Sequence, residues 1–352
     1  MKVLFLHENR PDYLAESLFH GLRTILGQDC VDVPRFDSMY APLTPRIKSK
    51  VRGQGFTLYG LLDDIPQLAE ERFFWRKDLA SYDLIVIAHI WEQWATVWDL
   101  SRVVRTEQMV LLDGYDTTAF FPYWPTGLRR NPWSYFAPVS RYKYFKRELV
   151  GEGHSHALDR FLPKALRRWV PMPRNAMPIS FSIPREQIRR NDASERTRVF
   201  PTHIVDEEVA AEVQGGFFSS TGSDSHFFTE EDDYYADLRS ARFGVTLKRA
   251  GWDCLRHYEL AASGCVLCFR DLDKKPATCA PHGLNESNCI IYHDYKELKD
   301  RISSLTTQEY VALQEKTYEW IESNTTVTRA SQFLIDCQKS SAAIDFQSAE
   351  QA

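Results

Sequence analysis

Short apolar runs alternate with amphipathic stretches along the whole chain. Residues 3–6 read VLFL, a run suited to a strand buried on both faces of a parallel sheet. Over residues 13–26 the apolar positions Leu14, Leu18, Leu22 and Ile25 share one helical face, and Gly27 is placed to cap the end. Further strands are predicted at 29–33, at 82–89 (YDLIVIAH) and at 109–116 (MVLLDGYD), and AMPISFSIP at 176–184 closes the first half. The second half repeats the pattern, with strands at RTRVFP (196–201), RFGVTL (242–247), VLCF (266–269) and NCIIYHD (288–294). Helices are predicted at 206–214, 232–241, 295–305, 308–323 and 328–339. Strands separated by helical stretches predict right-handed βαβ units and doubly wound sheets, an α/β protein. REQIRRNDASERT, at 185–197, carries many charges and few apolar residues, as a linker does. The expected division is 1–184, 185–340 and a polar tail at 341–352.

Composition narrows the function. A net charge of -5 argues against a general nucleic-acid or membrane binder. Basic residues cluster only locally, at Arg129–Arg130, at 141–147 and at Arg167–Arg168. The amino terminus lacks the longer apolar segment of a secretory leader, and no run reaches the ~20 apolar residues of a membrane helix. Seven cysteines without framework spacing fit reduced thiols, so a cytoplasmic protein without a membrane span is expected. Cys265 and Cys268 form a C-x-x-C inside an apolar strand with no second pair, which argues against zinc. Residues 35–60 are basic and rich in proline and glycine. A connection this long is expected to be functional or mobile.

The candidate chemistry centres on residues 251–269, GWDCLRHYELAASGCVLCF. Asp253 suits the N-cap of a helix whose first turn would expose unpaired N–H groups, a ready anion site. Arg256 adds a charged fork in that turn, and Glu259 follows on the same face. Phosphates would sit on the N–H groups and Arg256, and ribose hydroxyls on Glu259. An ordinary helix with a surface Arg–Glu pair fits the spacing equally well. His257 reads as a packed core histidine. In the first half, strand ends carry His7, Glu8 and Asn9, then His89, then Asp113 and Asp116, at the edge where open α/β sheets bind ligands. They form the expected acceptor side, with Asp116 or His7 as the catalytic base if the reaction inverts. Helix capping is the alternative for each.

Residues 242–272, RFGVTLKRAGWDCLRHYELAASGCVLCFRDL, resemble the donor-binding core of GT-B glycosyltransferases, with their R-x-x-E-A-x-A-x-G pattern. The likeness is nearest to CgeB-type and family-1 or family-4-like transferases. LLDGYDTTAF, YKYFKREL and YHDYKELKDRI also resemble segments of these enzymes. The resemblance implies two Rossmann-like domains facing a central cleft, the first for the acceptor and the second for a nucleotide-diphosphate sugar. It implies that Glu259 binds the ribose and that Arg256 with the amides near Asp253 and Cys254 cradles the diphosphate. Lys248, in a catalytic role, and Arg249 would meet the sugar-phosphate charge. Family-4-like enzymes carry a glutamate eight positions before the ribose glutamate, where this chain has Gly251.

The implied activity is sugar transfer to a surface glycan, lipid-linked glycan or protein, retaining in preference to inverting. No D-x-D stands where a metal-dependent enzyme would place it, so neither metal nor cofactor is expected. A dinucleotide enzyme is disfavoured because HENRP, with no glycine, follows the first strand. Two alternatives remain: a non-catalytic nucleotide-binding module, and a transferase acting on modified bases in nucleic acid, for which the basic residues 46–52 leave room. The aromatic stretches FFPYWP and NPWSYF would stack on sugars or, in the preferred reading, pack an interface.

Overall fold

The computed structural model describes residues 1–121, 132–150, 176–190, 195–213 and 228–339. The Gly/Ser-rich loop at 215–226, the tail at 341–352, Arg129–Arg130, Arg167–Arg168, the middle of the aromatic stretch and linker residues 191–194 lie outside them.

Six strands, β1 (Val3–Leu6), β2 (Cys30–Val33), β3 (Leu84–Ile87), β4 (Met109–Asp113), β5 (Lys143–Lys146) and β6 (Ala176–Pro178), form one sheet. Its order is β2-β1-β3-β4-β5-β6 and every pair is parallel. Three more, β7 (Phe243–Leu247), β8 (Val266–Arg270) and β9 (Cys289–Tyr292), make a second parallel sheet. Most strand positions are apolar because both faces are covered, with Asp32, Asp113, Lys143, Lys146 and Arg270 as the charged exceptions. Val3 and Phe5 feed one core, while Leu4 and Leu6 feed another on the opposite face. Cys265 and Cys268 likewise fall into cores on opposite sides of the second sheet. The expected strand at 196–201 is reduced to one bridge, Arg198 to Ala241. Pro201 has no N–H to extend a ladder.

The helices are α1 (Tyr13–Leu26), α2 (Pro45–Lys48), α3 (Leu68–Phe74), α4 (Ile90–Leu100), α5 (Glu207–Glu212), α6 (Glu231–Ser240), α7 (Leu255–Ala262), α8 (Tyr295–Ser304), α9 (Thr307–Glu322) and α10 (Thr326–Gln338). Among the described residues, no helix is long and apolar enough to cross a membrane.

The last helix returns to the first sheet. Ile183 N–H donates to the Asn324 carbonyl at 3.2 Å, and Thr326 N–H donates to the Ile183 carbonyl at 2.9 Å, so the two chain crossings between sheets run side by side. Beyond them α10 packs on α1, where Gly21 lets the backbones touch. A Cβ there would strike the Thr326 carbonyl and the Ala330 methyl. Gly21→Ala should therefore lower stability by about 2 kcal/mol, despite the better helix propensity of alanine, read as a reduced urea midpoint.

Residues 35–62 are partly pinned. Phe56, Leu58 and Tyr59 are buried in the core, and Gly53, Gln54, Gly55, Thr57 and Gly60 have positive φ. Residues 44–50 stay mostly exposed.

Candidate active site

The carboxyl ends of β1, β3 and β4 and the turn from β7 into α7 surround a cavity of about 710 Å³. From the first sheet's side it is faced by Asp12, His89, Asp116 and Arg147, and from the second by Arg249, Arg256 and Glu259.

The N-cap of α7 is Cys254, whose own side chain makes no capping hydrogen bond. Asp253, the expected cap, is buried one residue earlier. Its carboxylate accepts from Phe181 N–H at 2.8 Å and from the Tyr258 hydroxyl at 2.9 Å, and burial pushes it up to about 6. Arg256 donates from Nη2 to the His203 carbonyl at 2.8 Å, and its Nε has no partner among the described residues. Glu259 accepts at both oxygens, from the Thr57 and Tyr234 hydroxyls, each at 2.6 Å. Thr57 is held in turn through its N–H by Glu231 at 2.7 Å, with φ 70°, a left-handed conformation unusual for a β-branched residue. Arg249 is exposed at the cavity wall. Lys248 lies outside it, over the Trp252 ring at 5.2 Å and against a neighbouring hollow. His257 is sealed in the core, accepting from the Thr246 hydroxyl at 2.6 Å and donating to the Trp252 carbonyl at 2.9 Å.

The first-half positions separate sharply. His7 is buried and stacked on Phe36, its ring nitrogens 2.7 and 2.9 Å from the Pro34 and Glu8 carbonyls, and it does not line the cavity. Burial lowers its pKa. Asp113 is also sealed, bonded by the Tyr144 hydroxyl at 2.6 Å and Lys146 Nζ at 2.9 Å. Sheet register explains this, because Asp113 pairs with Lys146 on the adjacent strand. Glu8 is exposed, and Asn9 lines a separate, smaller cavity.

His89 does reach the cleft. Its Nδ1 accepts from Glu8 N–H at 3.1 Å, so the neutral ring carries its proton on Nε2, which has no hydrogen-bond partner among the described residues and lies 3.7 Å from Asp12. Burial lowers its pKa to about 4, which keeps the ring neutral at pH 7. Asp116 is half-exposed at the cavity but ion-paired with Arg147.

Three positions to which the sequence analysis gave no role organise this site. Arg147, almost wholly buried, also donates to the Gly114 carbonyl at 3.1 Å and, across the cleft, to the Asp253 carbonyl at 2.6 Å. Glu148 accepts from Trp252 N–H at 2.9 Å and Asp253 N–H at 3.2 Å. A Cβ on residue 251 would stand 2.5 Å from that carboxylate, so Gly251 is glycine because Glu148 occupies the space. The third is Thr57. Among the described residues, one cluster gathers three metal-ligating atoms, Asp271, Asp273 and His293, and it lies outside this cavity.

Comparison with solved structures decides the architecture. Sucrose-phosphate synthase from Thermosynechococcus elongatus superposes with TM-score 0.51 and 12% identity, over 95% of this chain and 98% of its own. Trehalose-6-phosphate synthase OtsA does so with TM-score 0.50 and 11% identity, over 97% and 99%. The chain has the GT-B fold. TarM is similar at TM-score 0.38 and 12% identity over 69% of this chain, which spans 57% of TarM's length. No family profile and no curated protein matches the sequence. In the GT-B arrangement the two parallel sheets belong to Rossmann-like halves, and the cavity is the cleft between them.

Proposed function

We propose that this protein is a glycosyltransferase that takes a sugar from a nucleotide-diphosphate donor, with residues 1–184 presenting the acceptor and 185–340 holding the donor. The observation that carries the reading is the start of α7 in the cleft wall, where the Cys254 side chain makes no capping hydrogen bond, with Arg256 and Glu259 on its exposed side. Backbone N–H groups, Arg256 and Arg249 would hold the diphosphate, and Glu259 the ribose. Their fixed positive field would stabilise the leaving group without metal or cofactor. The likeness to CgeB-type and family-4-like sequences belongs to this proposal, as does a cytoplasmic setting, supported by seven free thiols.

Retention is favoured by how the cavity's carboxylates are engaged. Asp12 accepts from Leu14 N–H at 2.9 Å, Asp116 is paired with Arg147, Asp253 is buried, and Glu259 sits on the donor side. In the step that follows, the C1–oxygen bond to the β-phosphate breaks and its electron pair stays on the phosphate. The acceptor oxygen bonds C1 from the same face, and its proton passes to that phosphate oxygen. His89 Nε2–H is placed to donate to a sugar hydroxyl.

The test is a thermal-shift screen of UDP, GDP and ADP with parallel assays of nucleotide-sugar cleavage. One nucleoside diphosphate should raise the melting temperature, and Glu259→Ala should weaken its apparent affinity about tenfold. An undiminished shift in that variant would remove Glu259 from the site. Glycine at 251 favours a second reading, a binding module, which a persistent shift without cleavage on any acceptor would support.

A further inference from the structure

A second cavity of about 380 Å³ opens beside the cleft and shares Arg10 and Pro11 with it. Asn9, Ser38 and Thr44 give it neutral polar groups, and Arg46 and Lys50 stand on its outer wall. Between Asp37 and Asp63 the chain carries Arg46, Lys48, Lys50 and Arg52 and no carboxylate, within a protein of net charge -5. None of the four forms an ion pair with a described residue; Lys48 and Arg52 lie near the rings of Phe56 and Tyr13. The two carboxylates at the second cavity do not neutralise it. Asp37 is paired with Arg35, and the buried Glu16 accepts from the Tyr59 hydroxyl at 2.8 Å and is pushed up to about 8.

Four unpaired cations within seven residues repel one another until an anion arrives. Arg46 and Lys50 do not line the main cleft, where Arg249 and Arg256 already face the donor. We propose that this segment recognises a phosphate monoester on the acceptor. The phosphate sits between Arg46 and Lys50 in the second cavity, and the sugar-sized remainder extends past Arg10 and Pro11 into the cleft, where its hydroxyl meets the donor. This extends the transferase reading and rests on it. The cavity's volume suits a small molecule, and the basic track ends at Arg52, short of what a nucleic-acid strand requires. Thr57, five residues on, bonds Glu259, so the segment's anchor also touches the donor side.

Calorimetry with glucose 6-phosphate and glucose as probes, at saturating nucleoside diphosphate, tests the proposal, with the melting shift caused by that nucleotide recorded alongside. The wild type should bind glucose 6-phosphate about tenfold or more tighter than glucose, and Arg46→Ala/Lys50→Ala should erase that ratio. Both side chains are exposed, so their loss leaves packing intact. Equal affinities for the two probes, or a ratio that survives the double substitution, would overturn the phosphate site while a persisting nucleotide shift left the donor reading standing. A phosphate preference without any nucleotide shift would overturn the donor reading instead. Tighter binding of a short single-stranded DNA than of glucose 6-phosphate would replace the small-molecule acceptor with nucleic acid.

Discussion

Arg147→Ala should cost about 3–5 kcal/mol of unfolding free energy, the range for breaking a buried ion pair by removing one partner. The guanidinium is enclosed, its side chain 1% exposed, and it lies over the Phe181 ring at 4.4 Å. Removing it leaves Glu148, 2% exposed, buried without its ion-pair partner, and strips a donor from the carbonyls of Gly114 and Asp253. Arg147→Lys keeps the charge and loses the fork that spans these groups, so it should recover only part of the loss. Because the bond to Asp253 crosses the cleft, the nucleotide-induced melting shift should shrink in both variants. Urea unfolding that shows less than about 1 kcal/mol for the alanine variant would contradict this role.

The second large effect is on acid stability. Burial lowers His257 to about 4 from an ordinary 6.5, so the unfolded chain binds its proton more readily than the folded one. The resulting stabilisation is fully present above pH 6.5 and is lost as pH falls towards 4. A displacement of that size corresponds to about 3 kcal/mol. His257→Gln keeps a polar side chain between Thr246 and Trp252 but has nothing to titrate. Its unfolding free energy should fall less steeply than that of the wild type between pH 6.5 and 4, by about that amount. Parallel curves for the two proteins would show that His257 is not held neutral in the fold.

Much of the frame was legible from local pattern. The helix at 13–26 and the apolar runs of β1, β3, β4, β7 and β8 depend on neighbours in sequence, and the structure places them there. Arg256 and Glu259 were legible too, since a helix sets their common face. Thr57 was not, because the carboxylate it bonds lies 202 positions away and nothing local marks the partnership. Arg147 and Glu148 resemble part of a known segment, but what they bridge is decided by how two sheets meet. His7 and Asp113 were misleading for a different reason. A polar residue at a strand end reaches the ligand edge or turns into the packing according to register and neighbouring strands, and those neighbours lie far along the chain.

The return of α10 to α1 has a consequence for biosynthesis. A ribosome delivers the first sheet early, yet the helix that packs against α1 at His20 and Gly21 begins at Thr326. The amino-terminal half must therefore wait, with part of its apolar surface open to chaperones, until nearly all of the described polypeptide has been translated.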